Sequence, residues 1–244
     1  MISGRLMKPI ETVLFDFGGT LDASGVAWQE RFYALYRVEG LQMSPDAFQP
    51  VFFAADSLLV GNLCPRTDLA GTVHALVANI EIELADRSRV GDAALGNGRS
   101  KRVASRFLSE AAAAFARNRP VLEELRDRYR LGVVSNFYGN LEAVCKGAGL
   151  ASLFSCLVDS HCVGAEKPDP EIFKAALQML GAHVDTTLLV GDSLHRDGEG
   201  ARRMGMRFIW MTPHRAFGAE HGALPELPIE HSVTELHEMI RILQ

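Results

Sequence analysis

The chain has 244 residues, of which 48% are hydrophobic and 23% charged, a composition typical of a globular protein with one core or a core and a smaller domain. Its 25 basic and 30 acidic residues give a formal net charge of -5, with no basic stripe interleaved with aromatic residues, so we expect no nucleic-acid partner. No stretch approaches the ~20 apolar residues that a membrane span requires, and the N-terminus has no apolar signal core. We therefore expect a cytoplasmic protein with no membrane partner.

Short β-rich runs alternate with helical spacing along most of the chain. Five such runs predict strands: Val13–Phe17, Leu131–Ser135, Cys156–Asp159, Thr187–Val190 and Arg207–Met211. Helical spacing occurs over Leu141–Gly147, Pro170–Leu180 and Arg196–Met204, and a C-terminal helix is expected over Thr234–Ile242. This alternation predicts an α/β fold, with a Rossmann-like parallel sheet and crossover helices on its faces.

The long interval between the first and second runs lacks convincing strands and is rich in helix formers, as in Ser109–Phe115. We interpret residues 22–117 as an inserted α-helical cap domain, and residues 1–21 and 118–244 as the α/β core. Gly, Asn and Ser crowd residues 91–100 and predict a loop. Pro120 is expected to open a new helix, because proline is tolerated in a first turn.

Polar side chains follow three of the predicted strands. Asp16 follows the first, Ser135 and Asn136 the second, and Asp192 the fourth, while Lys167 lies in a loop before a helix. Ligands bind beyond the carboxyl ends of parallel strands in open α/β sheets, so we expect these residues to converge. Taken alone, the first segment is equally typical of a strand followed by a Gly-Gly hairpin turn.

This set of side chains suits the handling of a phosphoryl group. Asp16 and Asp192 can hold a hard divalent cation such as Mg2+, which prefers oxygen ligands. Ser135 and Asn136 can donate hydrogen bonds to phosphoryl oxygens, and Lys167 can neutralise charge as it develops. Asp16 can also attack phosphorus and form an aspartyl-phosphate, which divides one difficult displacement into two easier ones.

Four segments resemble the motifs of the haloacid dehalogenase superfamily of hydrolases, in that family's order. They are DFGGTL at 16–21, VVSN at 133–136, KPDP at 167–170 and GDSLHRD at 191–197. Each motif is weak alone, but together they identify the chain as similar to this family across most of the region outside the insert. The insert lies between the first and second motifs, as a helical cap does in one large branch of the family.

The resemblance implies a role for each motif residue. It makes Asp16 the nucleophile and Lys167 its catalytic partner. It assigns the metal ion, Mg2+, to the carboxylates of Asp16 and Asp192 and the backbone carbonyl of Gly18, with Asp197 supporting the metal and Lys167. The predicted substrate-binding residues are Thr20, Ser135 and Asn136.

The sequence departs from the family's phosphatases at Gly18. Those enzymes carry a second aspartate there, which protonates the leaving group and later activates water. Such general acid and base catalysis is worth ~10^2 to 10^4 in rate. Metal binding need not suffer, because the family uses only the backbone carbonyl at this position.

Three hypotheses follow from the resemblance and this departure. The first is a Mg2+-dependent phosphatase of a small phosphorylated metabolite, a monomer or homodimer, whose proton transfers come from Asp22, from a histidine or acidic residue of the insert, or from water. The second is a C-P or C-halogen hydrolase. Asp192 argues against dehalogenation, and Lys101, the one lysine of the insert, is far from where a Schiff-base lysine would be expected. The third is a weak or inactive member that binds a phosphorylated ligand or a protein partner.

Overall fold

The computed structural model describes residues 8–87, 98–213 and 227–244. In these ranges six strands form one parallel sheet in the order β3-β2-β1-β4-β5-β6. The strands are β1 (Thr12–Phe15), β2 (Arg130–Ser135), β3 (Cys156–Asp159), β4 (Thr187–Gly191), β5 (Arg207–Met211) and β6 (Ile229–Val233). The predicted α/β fold with a Rossmann-like sheet is confirmed, and β6 is an additional strand.

The direction in which strands are added reverses between β1 and β4, which lie side by side at the centre of the sheet. All residues of both strands are buried, as expected for central strands of a parallel sheet covered on both faces. Leu14 packs on one face of the sheet with Val134 and Phe173, whereas Val13 and Phe15 contribute to the core on the other. A ligand site is expected at this reversal, beyond the carboxyl ends of the two strands.

Helices flank the sheet and fill the insert. Those between β1 and β2 are α1 (Trp28–Val38), α2 (Pro45–Ser57), α3 (Leu69–Arg87) and α4 (Arg99–Arg126). Those after β2 are α5 (Leu141–Gly147), α6 (Ser160–Val163), α7 (Pro170–Leu180), α8 (Glu199–Met204) and α9 (Glu238–Ile242). The last helix is shorter than predicted, because the backbone N–H of Thr234 donates to the side chain of Glu238 in the turn before it. No helix in the described ranges is long and apolar enough to cross a membrane.

The helices of the insert pack around aromatic side chains. Phe32 of α1 stacks on Phe107 of α4 with ring centroids 4.4 Å apart, and Trp28 meets Phe107 edge-on at 5.2 Å. Aromatic contacts of this kind contribute about 0.5 to 1.5 kcal/mol beyond the burial of their area. These contacts hold α1 against α4, and α1 is the helix that begins closest in sequence to Asp16.

The prediction that Pro120 opens a helix is wrong, because Pro120 lies inside α4. The missing N–H of a proline weakens a helix interior, but here apolar residues on both sides are buried, including Phe115 and Leu122, and this packing supports the continuous helix. Residues 91–97 of the predicted loop lie outside the described ranges, and residues 99 and 100 are helical. The division into core and cap at residue 117 stays a prediction, and α4 runs through that position.

Candidate active site

Asp16 follows β1 at the centre of the sheet. Its backbone N–H donates to the carbonyl of Val190 at 2.9 Å, which continues the pairing of β1 with β4. Its carboxylate Oδ1 accepts a hydrogen bond from Ser135 Oγ at 3.0 Å and lies 2.7 Å from Lys167 Nζ. Only 7% of Asp16 is exposed, so these contacts fix the orientation of the carboxylate.

Lys167 is buried between two carboxylates. Its Nζ lies 2.7 Å from Asp16 Oδ1 and 2.7 Å from Asp197 Oδ1. Burial disfavours the charged amine, but the two neighbouring carboxylates outweigh burial and raise the pKa of Lys167. The lysine is therefore a fixed positive charge next to the predicted nucleophile.

Asn136 holds the loop that carries Lys167. The backbone N–H of Lys167 donates to Asn136 Oδ1 at 2.7 Å, and Asn136 Nδ2 donates to the Lys167 carbonyl at 3.2 Å. The side-chain amide is thus engaged by the protein itself. Its predicted contact with substrate stays a prediction, and the structure adds a positioning role that the motif alone does not show.

Asp192 and Asp197 bring two further carboxylates to Asp16. Asp192 follows β4 and accepts a hydrogen bond from Thr20 Oγ1 at 3.2 Å, while Asp197 is fully buried in a π-helical turn (Leu194–Gly198) and accepts from the Ser193 N–H at 3.1 Å. One oxygen from each of the three aspartates can be chosen so that all lie within 4.8 Å of one another. The three acidic residues predicted as metal ligands therefore converge.

The charge of this cluster fits a hard divalent cation. Burial raises the pKa of Asp192 well above its ordinary value, and the charges of Asp16 and Asp197 raise it further. Lys167 supplies one positive charge for three carboxylates, so the raised pKa of Asp192 reflects the cost of a third negative charge that no described cation compensates. Oxygen donors with uncompensated negative charge are the ligands that Mg2+ or a similar cation prefers.

Gly19 lets the first motif approach the cluster closely. It has φ of +88°, and a Cβ there would lie 2.5 Å from Asp192 Oδ2. Glycine adopts this left-handed backbone without steric cost. The Gly-Gly pair thus belongs to a turn in the site between strand and insert, because β1 pairs in parallel on both sides and no hairpin follows it.

Trp28 fills the space beside Gly18. A Cβ at Gly18 would lie 3.3 Å from the indole Nε1 and 3.4 Å from Cδ1, closer than ordinary van der Waals contact between such atoms. Trp28 is buried, and its Nε1 donates to Asp22 Oδ2 at 2.7 Å. A side chain at position 18 would therefore require the indole to shift by a few tenths of an ångström, while the hydrogen bond to Asp22 holds it in place.

Asp22 is a buried structural link between this turn and the insert. Its Oδ1 accepts from the Gly19 N–H at 2.7 Å, and its Oδ2 accepts from Trp28 Nε1 and Arg31 NH1, each at 2.7 Å. Both oxygens are engaged, and the residue is only 1% exposed. These contacts do not favour Asp22 as the missing proton donor.

A cavity of about 540 Å³ opens over the aspartates. Its inner set, defined as Asp16, Ser135, Lys167, Asp192 and Asp197, lines or underlies the end next to the sheet. Three further charged residues, Asp56, Glu166 and Arg196, also line the cavity and are half-buried or exposed, and we call them the outer set because they are more exposed than the inner set. Trp28, Tyr138 and His195 also line the cavity.

One face of α2 forms part of the cavity wall. Gln49, Phe52, Phe53 and Asp56 follow i, i+3, i+4, i+7 spacing and all line the cavity, because residues at this spacing share one helix face. The sequence analysis did not single out these residues. The pattern that could have predicted this wall is present in the sequence: Gln49 and Asp56 flank Phe52 and Phe53 at helical spacing.

The comparisons with known proteins agree with this geometry. The profile of the haloacid dehalogenase-like hydrolases matches residues 10–205. This match covers most of the chain, so the chain belongs to the haloacid dehalogenase-like hydrolase family.

Two curated relatives match part of the chain. It is 35% identical over 115 residues to haloacid dehalogenase-like hydrolase domain-containing protein 3 of Bos taurus, covering 47% of this chain and 45% of that protein. It is 39% identical over 82 residues to a phosphoserine phosphatase of Thermus thermophilus, covering 34% of this chain and 30% of that enzyme. The chain thus spans less than half the length of these relatives.

A solved structure shares the whole fold. The HAD-hydrolase YfnB of Bacillus subtilis, determined bound to magnesium, superposes with a TM-score of 0.58 at 20% identity, covering 97% of this chain and 100% of that one. At this identity the likeness concerns the fold alone.

Proposed function

We propose that this protein is a Mg2+-dependent phosphatase of small phosphorylated metabolites that works through an aspartyl-phosphate on Asp16. The observation that carries the proposal is the convergence of Asp16 with Lys167, Asp192 and Asp197 at the reversal of the sheet, open to one cavity. The Thermus thermophilus relative is a phosphoserine phosphatase, which supports the same reaction class. A cytoplasmic location and a monomeric or homodimeric state accompany the proposal as predictions.

Hydrogen bonding distinguishes the two oxygens of the proposed nucleophile. Both Ser135 and Lys167 contact Oδ1 of Asp16, and no hydrogen bond from a described residue reaches Oδ2. An oxygen without a donor keeps its lone pairs available. We assign the attack on phosphorus to Oδ2, while Oδ1 is held in place.

The reaction balances in two displacements. In the first, Asp16 Oδ2 bonds to phosphorus, the ester P–O bond breaks, and the alcohol leaves and takes a proton. In the second, water attacks phosphorus, the bond between phosphorus and Asp16 breaks, and the water's proton passes to solvent. Asp16, Asp192 and the Gly18 carbonyl would hold a divalent cation, which would neutralise charge at the phosphoryl oxygens, and Lys167 adds its own positive charge next to Asp16.

Water supplies and removes these protons in our proposal. Gly18 has no side chain to do so, the indole of Trp28 occupies the adjacent space, and Asp22 is fully hydrogen bonded. We therefore expect esters with good leaving groups, whose alkoxides need little protonation, to react much faster than simple alkyl phosphates.

The experiment is hydrolysis of para-nitrophenyl phosphate by the wild type and Asp16→Asn, with Mg2+ and with EDTA. We expect Mg2+-dependent turnover in the wild type and loss of at least about 10^3 in kcat for Asp16→Asn. Acid quenching during turnover, followed by mass spectrometry, is expected to find a phosphate on the peptide that contains Asp16. Equal turnover by both proteins would refute the mechanism, and no turnover by the wild type would favour the ligand-binding hypothesis.

Metal binding is tested separately from turnover. We expect calorimetric titration with Mg2+ to show one site in the wild type and about 10-fold or more weaker binding in Asp192→Asn. Asp185→Asn is the matched control, since Asp185 lies before β4, at the other end of that strand from Asp192. Equal Mg2+ affinity in all three proteins would contradict the proposed ligand set.

A further inference from the structure

The outer part of the cavity carries a carboxylate without an ionic partner. Asp56 lies on the cavity face of α2 and is half-buried. Its one hydrogen bond to a described residue comes from the phenol of Tyr138, which is a neutral donor. No cation of the described residues is close enough to Asp56 to form an ion pair with it.

Tyr138 fixes the position of this carboxylate. Tyr138 follows β2, three residues after Ser135, and only 7% of it is exposed. It therefore connects Asp56 of the insert to the same segment that holds Asp16. A carboxylate that is held by a buried donor on a cavity wall is preorganised, so a ligand need not order it.

The charges around Asp56 leave it poorly compensated. Burial is the largest cause and raises the pKa of Asp56, Glu166 raises it further, and the Tyr138 hydrogen bond and Arg196 lower it without cancelling the effect of burial. Arg196 is exposed, and its side chain forms no hydrogen bond or ion pair with the described part of the chain. Water screens an exposed guanidinium more than a half-buried carboxylate, so the field of Asp56 dominates on this wall.

Resting on the function proposed above, we propose that Asp56, positioned by Tyr138, binds a protonated amine in the organic part of the substrate. The favoured substrates are then phosphate monoesters of amino alcohols. The phosphate would occupy the inner set while the ammonium group reaches Asp56, with Glu166 as a second acceptor on the same wall. An ammonium group supplies the positive charge and the donors that Asp56 lacks.

The closing experiment compares three esters with the same two-carbon chain: the isosteric pair 2-aminoethyl and 2-hydroxyethyl phosphate, and ethyl phosphate, which lacks the terminal polar group. We expect wild-type kcat/KM for 2-aminoethyl phosphate to exceed that for ethyl phosphate by about 10- to 100-fold, the range of a hydrogen bond to a charged group. In Asp56→Asn this ratio is expected to fall by about 10-fold or more, although the amide oxygen can still accept from Tyr138. The matched control, Asp46→Asn, removes an exposed carboxylate from the first turn of α2 and is expected to keep the wild-type ratio.

The outcomes separate this inference from the phosphatase proposal. Equal kcat/KM for the amino and hydroxy esters, or an unchanged ratio in Asp56→Asn, would overturn amine recognition even if para-nitrophenyl phosphate is hydrolysed. If no phosphate ester is hydrolysed, the phosphatase proposal fails and binding is measured by thermal shift with the same three esters. Selective stabilisation by 2-aminoethyl phosphate that disappears in Asp56→Asn supports the amine site, and equal stabilisation by all three overturns it.

Discussion

The inner and outer sets of cavity residues differ in how their polar groups are paired. In the inner set, Lys167 bridges Asp16 and Asp197, and Ser135 donates to Asp16. In the outer set, Asp56 has a single neutral donor, and the side chains of Glu166 and Arg196 form no hydrogen bond or ion pair with the described residues. Paired and buried groups keep one geometry, whereas unpaired groups at the cavity wall remain available to a ligand. We therefore expect changes in the inner set to affect stability and turnover, and changes in the outer set to affect substrate choice.

The largest expected effect is on the inner set. Lys167→Ala removes the positive charge between two buried carboxylates, and we expect the free energy of unfolding in EDTA to fall by about 3 to 5 kcal/mol. Urea denaturation measures this change. Added Mg2+ is expected to restore part of the loss, because a cation can compensate the same carboxylates.

The control for this variant is Lys174→Ala. Lys174 is exposed and, among the described residues, pairs only with Glu171, three residues earlier on the same helix, so we expect an unchanged urea midpoint. A Lys167→Ala protein as stable as this control would show that the inner set is not held together by charge.

A second effect concerns the boundary between the sets at Gly18. Because Trp28 occupies the adjacent space, we expect Gly18→Asp to raise the turnover of ethyl phosphate by less than about 10-fold, well short of the ~10^2 to 10^4 of a placed acid and base. Steady-state kinetics of Gly18→Asp and Gly18→Ala side by side measures the gain. A 10^3-fold increase in kcat/KM for ethyl phosphate in Gly18→Asp, without a similar increase in Gly18→Ala, would contradict this prediction and show that the Trp28 indole moves aside at little cost.

A third effect is a pH dependence of stability at Asp56. Its pKa is raised in the folded protein, so wild-type stability includes a favourable contribution at low pH that is lost as pH rises through that raised pKa. Asparagine does not titrate. We therefore expect Asp56→Asn to have a higher Tm than the wild type at pH 8 and the same Tm near pH 3.5, which is below the ordinary pKa of aspartate.

The groups facing Asp56 are Tyr138, Arg196 and Glu166. Tyr138→Phe removes the one donor and is expected to widen the Tm gap between pH 3.5 and pH 8. A Tm difference between Asp56→Asn and the wild type that stays constant across this range would contradict a raised pKa at Asp56.

The smallest effect is expected for Arg196→Gln. The guanidinium is exposed and forms no hydrogen bond or ion pair with the part of the chain that the structure describes, so we expect the free energy of unfolding to change by less than about 0.5 kcal/mol. Urea denaturation of Arg196→Gln and Lys167→Ala under the same conditions compares the two losses of stability directly. A fall of more than about 1.5 kcal/mol in the free energy of unfolding would contradict this prediction and show that the Arg196 side chain forms a stabilising contact.

The sheet was largely predictable from sequence, for a physical reason. Central strands of a parallel sheet are buried on both faces, so β1 and β4 appear as continuous apolar runs. The edge strand β6, with sequence IEHSV, has four of five residues partly or fully exposed and no such run, and it was missed. The continuous α4 was also missed, because its tertiary packing outweighs the local effect of Pro120.

The site was predictable where its residues follow the central strands or belong to the four motifs, as Lys167 does. Asp16, Asp192 and Asp197 converge as expected, since the sheet brings the ends of β1 and β4 together. Asp56 and Tyr138 are 82 positions apart, and no spacing rule relates a helix of the insert to the turn after β2. The position of Trp28 in the cavity wall could not be predicted for a different reason. An aromatic residue at helical spacing is typical of a buried core, and Trp28 belongs both to the core and to the cavity wall.

Asp22 connects the turn after Asp16 to the start of α1, so we expect these two segments to move together. Through Asp22, the Gly19 amide is tied to Trp28 and Arg31, and Arg31 in turn stacks over Phe107 of α4 with its guanidinium carbon 3.9 Å from the ring centroid. A tilt of α1 would therefore move the backbone beside Asp192 as well. We therefore expect substitutions at Phe32 and Phe107, which lie in the α1–α4 contact but do not line the cavity, to change the metal affinity of the proposed site, and libraries built only from cavity residues would miss them.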